Sequence, residues 1–238
     1  MNDLLVIDIE TVPGVPQFAE LSPEFQALWI AKISKTVPEN TSAEESYTQR
    51  AGILAEFGKI ICISTAYFYI DEHRKQCLKV KTIAGHNENE ILTNFADVCN
   101  KFQQAKTSFC FAGHNIKEFD IPYICRRMIV NNVPLPPCLQ LHNKKPWEVK
   151  MFDTLHHWRF GDHKNYITLN LLAAVLGVPT SKTDIDGSMV QEVYYNEKNL
   201  QRIVDYCQRD VIATANIILK FKNQPLLNND NVSIVEYV

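Results

Sequence analysis

The chain has 238 residues, of which 46% are hydrophobic and 21% charged, and its net charge at pH 7 is −3. This composition is typical of a soluble globular protein, and the length favours one domain with a sizeable core. The slightly acidic balance excludes a global basic surface of the kind that binds along duplex DNA. It is compatible with an enzyme that takes one nucleic-acid end and neutralises the phosphates with bound metal ions.

Short strands and amphipathic helices are predicted along most of the chain. The first strand is an apolar run over residues 4–10, followed by Pro13 and Gly14. Three early strands with short links, then strands alternating with helices, indicate a mixed five-stranded α/β sheet flanked by helices. The other predicted strands are residues 59–69, 78–84, 108–112 and 149–152, and the predicted helices are residues 16–33, 87–102, 121–130, 168–176 and 198–221.

Cysteine usage and hydropathy predict a cytoplasmic location. The seven cysteines occur singly, without a metal-ligand spacing, as expected for reduced and mostly buried thiols. No charged leader precedes the first strand, and no apolar run reaches the roughly 18 residues of a membrane span. We also predict a domain over residues 1–223 and a tail over residues 224–238. The strand-like end of that tail, residues 232–238, could pair with another chain or with the protein's own sheet.

Asp8 and Glu10, at the end of the first predicted strand, are the strongest indication of function. Residues two apart in a strand point to the same face, so these side chains project together from an apolar run. Two carboxylates held so near each other raise each other's pKa unless a cation lies between them. The pair therefore predicts a metal site.

Two further acidic residues stand at the ends of predicted elements, where α/β sheets place their chemistry. Asp120 follows a buried strand at the mouth of a helix. Asp210 lies on the last helix, four residues after Tyr206, so both side chains share one helical face. Each also has a simpler interpretation. Asp120 alone could be a helix cap, Tyr206 with Asp210 could be a half-exposed helix face, and Tyr206 could be a packed helix aromatic.

In this order, the residues resemble the motifs of the DEDD superfamily of 3′→5′ exonucleases. The first motif, D-x-E on the first strand, is matched by residues 8–10. The second, N-x2–3-(F/Y)-D, is matched by residues 115–120. The third is Y-x3-D or H-x4-D, and Tyr206 with Asp210 matches the tyrosine subclass, since residue 205 is Asp and not His.

Other segments are similar to predicted exonucleases related to the proofreading domain of family B DNA polymerases. The similarity extends over residues 3–222 and implies a ribonuclease H-like, three-layer fold and a freestanding exonuclease. The segments that show it most clearly are residues 57–64, 113–115, 184–188 and 206–211.

The resemblance also implies two divalent metal ions, Mg²⁺ or Mn²⁺, as cofactors. Asp8, Glu10, Asp120 and Asp210 are then the metal ligands, with Asp8 bridging the two ions. Such ions activate the attacking water and stabilise the leaving 3′ oxygen. Tyr206 then orients the water, because a phenol with a pKa of about 10 is a poor base at neutral pH.

The predicted partner is a nucleic acid with a free 3′ end, in the first place single-stranded DNA, from which nucleoside 5′-monophosphates are released. The candidate substrate-binding residues are Thr11, His114, Asn115 and Phe119, each of which also has a structural interpretation as a strand end, a satisfied histidine, a turn anchor or a core aromatic. RNA stays open as the substrate, because recognition of the 2′-OH depends on pocket geometry. A nucleic-acid-binding protein with a vestigial site is the alternative outside the enzymes.

Two neighbouring features have competing interpretations. Asp153 ends a predicted strand near the site and could support the metal ligands or cap a helix. His156 and His157 suggest a metal cluster, but adjacent histidines point apart on a regular element, which argues against a shared zinc ion.

Overall fold

A single mixed sheet connects the strands of the described residues. The computed structural model describes residues 1–34, 36, 38, 41–106, 108–145, 147–162, 164–179 and 185–235. The strands are β1 (Leu4–Pro13), β2 (Gly58–Ile70), β3 (Gln76–Ala84), β4 (Cys110–Gly113), β5 (Met151–Asp153) and β6 (Val232–Val235). Their spatial order is β5-β4-β1-β2-β3-β6. The β1–β2 and β2–β3 pairs are antiparallel, and the other three pairs are parallel.

Helices cover both faces of this sheet. The helices are α1 (Pro23–Ile33), α2 (Ala43–Arg50), α3 (Glu88–Ala105), α4 (Asp120–Val130), α5 (Thr154–Arg159), α6 (Leu169–Leu176), α7 (Val190–Tyr195) and α8 (Leu200–Phe221). Helices α3 and α4 share a core with one face, while α7 and α8 pack on the other. None of the helices in the described part of the chain has the length and apolar character needed to span a bilayer.

The predicted three-layer, ribonuclease H-like α/β fold is confirmed, but the predicted count of five strands is wrong. The sixth strand, β6, pairs in parallel with β3 at the edge of the sheet. Of the two alternatives for the strand-like end, residues 232–235 take the second and pair with the protein's own sheet. The sequence could not choose between them, because a free strand edge such as that of β3 can be covered from the same chain or from another. The remaining residues of the strand-like end, 236–238, lie outside the described residues. The boundary at residue 223 stays a prediction.

Strand β1 sends its side chains alternately into the two helix layers. Its odd-numbered residues between 5 and 9 belong to the core beneath α3 and α4. Val6 and Val12 instead pack in the clusters that contain α8 residues. Asp8 and Glu10 lie between these two valines in the alternation, so two carboxylates interrupt the face that α8 covers.

Helices α1 and α2 form a separate apolar cluster near the start of the chain. Trp29 is fully buried, packs edge-on against the ring of Tyr47 at 5.1 Å, and donates a hydrogen bond from Nε1 to Ser46 Oγ at 3.1 Å. The Tyr47 hydroxyl donates to the carbonyl of Val15 at 3.2 Å. These contacts fix α2 beside the carboxyl end of β1.

Candidate active site

The side chains of Asp8 and Glu10 meet a thiol from α8. The ligand-capable atoms of Asp8, Glu10 and Cys207 all lie within 4.8 Å of one another. Cys207 Sγ donates to Asp8 Oδ2 at 3.3 Å, and the Glu10 side chain is buried. The predicted proximity of the two carboxylates is therefore present. Cys207 was missed, because its spacing in the sequence matches no metal-binding pattern.

Electrostatic repulsion connects the carboxyls of β1 to those of the other two motifs. Burial raises the pKa of Asp8 well above its usual value, and the charges of Asp210 and Asp120 raise it further, against a smaller lowering by the hydrogen bond from Cys207. Burial also raises the pKa of Glu10, followed by the charges of Asp8 and Asp210. Four acidic side chains thus come close enough to interact at one place.

Asp120 is held at the edge of β1 by a backbone hydrogen bond. Strand β4 pairs with β1 as far as Val6, and beyond that point the amide of Ile9 donates to Asp120 Oδ1 at 3.2 Å. Asp120 is the first residue of α4 and is buried. Burial raises its pKa to about 7, although the hydrogen bond from Ile9 opposes the shift.

Tyr206 and Asp210 face the same cluster from the middle of α8. The phenol of Tyr206 is buried, and its pKa is raised by burial and then by Asp210, Glu10 and Asp8. Burial raises the pKa of Asp210 to about 6, against lowering by a hydrogen bond from Tyr206 and by the charge of Arg209. The structure therefore brings together all five residues predicted as catalytic. Their roles stay predictions.

A tight turn between β4 and α4 presents Asp120 to this cluster. A Cβ atom on Gly113 would lie 2.9 Å from the Ile7 carbonyl and would overlap Ile116, so a side chain does not fit there. Asn115 adopts a left-handed conformation, with φ of 62°, which asparagine tolerates better than most residues. The backbone NH of Asn115 donates to Asp153 Oδ1 at 3.0 Å, which supports the interpretation of Asn115 as a turn anchor.

Asp153 and His114 hold this turn in place. Asp153 Oδ2 accepts from the Lys117 amide at 3.1 Å, while Oδ1 caps α5 by accepting from the Leu155 amide at 3.0 Å. Of its two interpretations, the helix cap is confirmed. Both ring nitrogens of His114 have partners, Thr154 Oγ1 at 2.9 Å and the Ile167 carbonyl at 3.0 Å. This matches its structural interpretation.

The paired histidines have separate surroundings. His156 Nε2 contacts Glu118 Oε1 at 3.1 Å, whereas His157 stacks on Phe152 with ring centroids 4.0 Å apart. The sequence-based argument against a shared zinc ion is in agreement with this geometry. Within the ranges described above, Asp8, Glu10 and Cys207 are the only group of three potential ligands that comes together.

A cavity of about 520 Å³ opens beside Glu10 and Thr11. Glu10 is its only charged residue among those described, and the rest of the lining is polar or apolar. Phe119 contributes a ring whose centroid lies 5.4 Å from that of Tyr123. The other walls come from α2, from the segment leading into α7 and from α7 itself; they include Thr48, Gln49, Ser188 and Gln191. Sequence periodicity predicts no helix at either of these places.

The donor set fits a hard divalent cation. Carboxyls from three elements lie near enough to raise one another's pKa, and oxygen is the ligand that Mg²⁺ and Mn²⁺ prefer. The pKa of the Cys207 thiol is raised well above its usual value by burial and by neighbouring Cys62, so it donates a hydrogen bond to Asp8. A cation at this position would offset the mutual repulsion that raises the carboxyl pKa values.

Comparisons with known proteins agree with this geometry. A family described as "Predicted 3'-5' exonuclease related to the exonuclease domain of PolB" matches residues 53–232. The chain is also similar to the structure of the family B DNA polymerase from the hyperthermophilic archaeon Pyrobaculum calidifontis, with a TM-score of 0.54 and 15% identity. That alignment covers 92% of this chain and 24% of the polymerase, so the chain spans about a quarter of its length. No curated protein sequence matches.

The two comparisons differ in what they cover. The family match begins at residue 53, after β1, so the assignment of Asp8 and Glu10 to the first motif rests on the geometry. The polymerase likeness, at 15% identity, shows the fold alone.

Proposed function

Since the chain belongs to the family of predicted 3′→5′ exonucleases related to the exonuclease domain of PolB, we propose that it is a metal-dependent 3′→5′ exonuclease. It removes nucleoside 5′-monophosphates from the 3′ end of single-stranded DNA. The proposal rests on one observation: carboxyls from β1, α4 and α8 lie near enough to raise one another's pKa, beside a cavity in which Glu10 is the only charged residue among those described. We assign the catalytic unit to residues 1–223 and treat residues 224–238 as a tail that adds β6 to the sheet.

Asp8, Glu10, Asp120 and Asp210 are the proposed ligands of two divalent ions, Mg²⁺ or Mn²⁺. Two such ions, when bound, lower the pKa of the attacking water and neutralise charge on the departing 3′ oxygen. The contribution of the chain is to hold four carboxyls near one another, with Glu10 and Asp120 buried and Asp8 and Asp210 partly buried. The hydrogen bonds from Ile9 to Asp120 and from Cys207 to Asp8 fix two of these carboxyls.

Tyr206 is the proposed positioning group for the attacking water. Because burial and three neighbouring carboxyls raise its pKa, the phenol stays protonated at neutral pH and cannot act as a base. Its hydroxyl can instead donate one hydrogen bond and accept another. Rotation of the side chain is restricted by packing among the apolar residues of α7 and α8.

The cavity beside Glu10 is the proposed site of the terminal nucleoside. Its lining lacks cations among the described residues, so it suits an uncharged base and sugar better than a phosphate. We propose that Thr11 and Phe119 contact this nucleoside directly. His114 then acts through the turn that presents Phe119 and Asp120, because both of its ring nitrogens already bind within the protein. The backbone NH of Asn115 anchors the same turn, but its buried side-chain oxygen has no hydrogen-bond partner among the described residues, so we keep Asn115 as a substrate contact.

The test is a ladder assay on 5′-labelled single-stranded DNA and RNA of matched sequence, with Mn²⁺, Mg²⁺ or EDTA. We expect metal-dependent shortening of the DNA from its 3′ end. Asp8→Ala should abolish it while the melting temperature of the protein stays near that of the wild type. Asp205→Ala is the matched control, because this carboxylate is exposed on α8 and outside the cluster.

Three outcomes would change the proposal. Shortening that continues in EDTA or in Asp8→Ala would overturn it. Faster shortening of RNA than of DNA would keep the metal-dependent chemistry and reassign the substrate. Binding to single strands without any hydrolysis would favour the non-catalytic alternative.

A further inference from the structure

An apolar groove lies on the outer side of α4, away from the cluster of carboxyls. Its volume is about 730 Å³, within the range of sites that bind ligands or peptide side chains. Ile121 and Pro122 line it from the first turn of α4 and Ile129 from the last. The opposite wall comes from the segment between α4 and β5, including Leu135, Leu139, Leu141 and Met151.

The floor of the groove is anchored in the main core of the protein. Leu139 is buried in the same cluster as Ile121, and Leu135 and Met151 pack against that cluster. Cys125 Sγ contacts the Leu139 carbonyl at 3.7 Å and ties the segment to α4. The groove is thus preformed, which lowers the entropic cost of binding. Ile129, on the rim of the groove, is 65% exposed.

The charged residues around the groove are all basic or histidine. Lys117, Arg126, His142 and His156 line it, and no described lining residue is acidic. Arg126 is exposed and, together with Lys32, helps to lower the pKa of Glu56, while His156 contacts Glu118 Oε1 at 3.1 Å. An adjoining recess shares Leu141, Val149 and Met151 and adds Lys106, Lys144 and Lys150 against the single acid Glu148. This surface is locally positive on a chain whose net charge is −3.

We infer that this groove binds a short peptide segment of a partner protein, with aliphatic side chains flanked by Asp or Glu. The aliphatic recess accepts the apolar side chains, and the surrounding cations complement the flanking carboxylates. A nucleic-acid strand fits less well, because the described lining of the groove holds no Phe, Tyr or Trp on which a base could stack. The two rings of the adjoining recess, Phe109 and Phe111, pack on each other with centroids 4.6 Å apart. The groove and the carboxyl cluster use opposite sides of α4, so both can be occupied together.

The test is a fluorescence-anisotropy titration of the full chain with labelled peptides. The peptides are first selected from an array of decapeptides, each with two or three aliphatic residues among aspartates, in which the spacing between the aliphatic residues is varied. The decapeptide that binds most strongly is then synthesised with a fluorescent label for the titration. We expect saturable binding that fails when the aspartates become asparagine or the aliphatic residues become serine. Ile129→Glu should weaken binding about tenfold or more, as loss of a central apolar contact does. Arg126→Glu should weaken it and reduce its salt dependence.

Val130→Glu is the matched control, since Val130 is 57% exposed on the same helix and does not line the groove. Its peptide affinity should equal that of the wild type. Hydrolysis of a short oligonucleotide should be unchanged in Ile129→Glu, which separates this inference from the proposed activity. The inference is overturned if no array member binds or if Ile129→Glu binds equally well. It is also overturned if that variant instead loses single-stranded DNA binding or dissociates a dimer.

Discussion

Glu10 and Glu88 are buried to the same extent, at 7% and 8% exposure, but their surroundings differ. Glu88 accepts hydrogen bonds from the Ile60 amide at 2.7 Å, from Arg127 at 2.6 Å and from Asn131 at 2.8 Å. Its charge is balanced within the protein by Arg127. The hydrogen bonds of Glu88 join β2, α3 and α4, and its carboxylate needs no external cation.

Within the described ranges, no cation pairs with Glu10 as Arg127 pairs with Glu88. The groups that raise its pKa besides burial are Asp8, Asp210, Cys62 and Asp120, all acids or thiols. A fold gains nothing in stability by placing these groups together. The comparison teaches that a buried acid with its own cation serves the structure. A cluster of buried acids that repel each other instead indicates a site for an external cation.

The sharpest test of this comparison exchanges each glutamate for its uncharged isostere. Glu10→Gln should lower turnover by on the order of 10⁴-fold or more, because a metal ligand is lost. Glu88→Gln should keep its turnover per folded molecule but lose stability. Steady-state assays and urea unfolding of both variants measure this. The comparison fails if folded Glu88→Gln loses activity as completely as Glu10→Gln.

Removing the cation of the structural pair should have the next largest effect. Arg127→Met leaves the Glu88 carboxylate buried without its counter-charge, and we expect a loss of about 3–5 kcal/mol in the free energy of unfolding. Urea unfolding at neutral pH gives this value. The double variant Glu88→Gln with Arg127→Met should lose less than the sum of the two single losses. Additive losses would show that the pair contributes no coupling.

The pH dependence of stability tests the carboxyl cluster itself. The pKa of Asp120 is raised to about 7 in the folded protein, against about 3.9 in an unfolded chain. Between about pH 4 and pH 7 the folded state therefore keeps a proton that the unfolded state has lost. Stability falls as the pH rises through this range, and the contribution is fully lost above pH 7. In EDTA, Asp120→Asn should be more stable than the wild type by about 2–4 kcal/mol at pH 8.

Urea unfolding at two pH values measures this gain, which should shrink towards pH 5. The asparagine can still accept the hydrogen bond that the Ile9 amide donates, so the structure of the turn is kept. Mn²⁺ should stabilise the wild type more than Asp120→Asn at pH 8. A gain of equal size at both pH values would show that ionisation of Asp120 is not its cause.

The smallest expected effect concerns Tyr206. Tyr206→Phe keeps the packed ring but removes the hydroxyl, so kcat should fall by about 10–100-fold while KM stays unchanged. Tyr194→Phe is the control, because Tyr194 is buried on α7 and its hydroxyl contacts His86 at 3.0 Å, outside the cluster. A fall in kcat that is the same in both variants would remove the proposed role of Tyr206.

Much of the fold could be predicted because its signals are local. Helix α6 begins after Thr168, whose side chain accepts a hydrogen bond from the Leu171 amide, and ends at Gly177, whose φ is 66°. The sequence predicts a helix that starts at Thr168 and stops at Gly177. The short helices α5 and α7 were not predicted, because each has only six residues, and for the strand-like end the sequence left open whether β6 joins this sheet or another chain. Their formation depends on partners that are distant in the sequence.

The sequence by itself determined which residue types are available to the site and on which elements they lie. Alternation along β1 puts Asp8 and Glu10 on one face, and the spacing on α8 does the same for Tyr206 and Asp210. Both facts follow from the periods of a strand and a helix.

The tertiary structure alone decided what those residues meet. Packing of α8 on the sheet brings Cys207 to Asp8. Because the pairing of β4 with β1 ends at Val6, the Ile9 amide can donate its hydrogen bond to Asp120. The cavity exists because α2 and the segment before α7 approach Glu10 from opposite ends of the chain. The hydrogen bonds of Cys207 and of Ile9 join residues 199 and 111 positions apart, and no local periodicity encodes contacts of that kind.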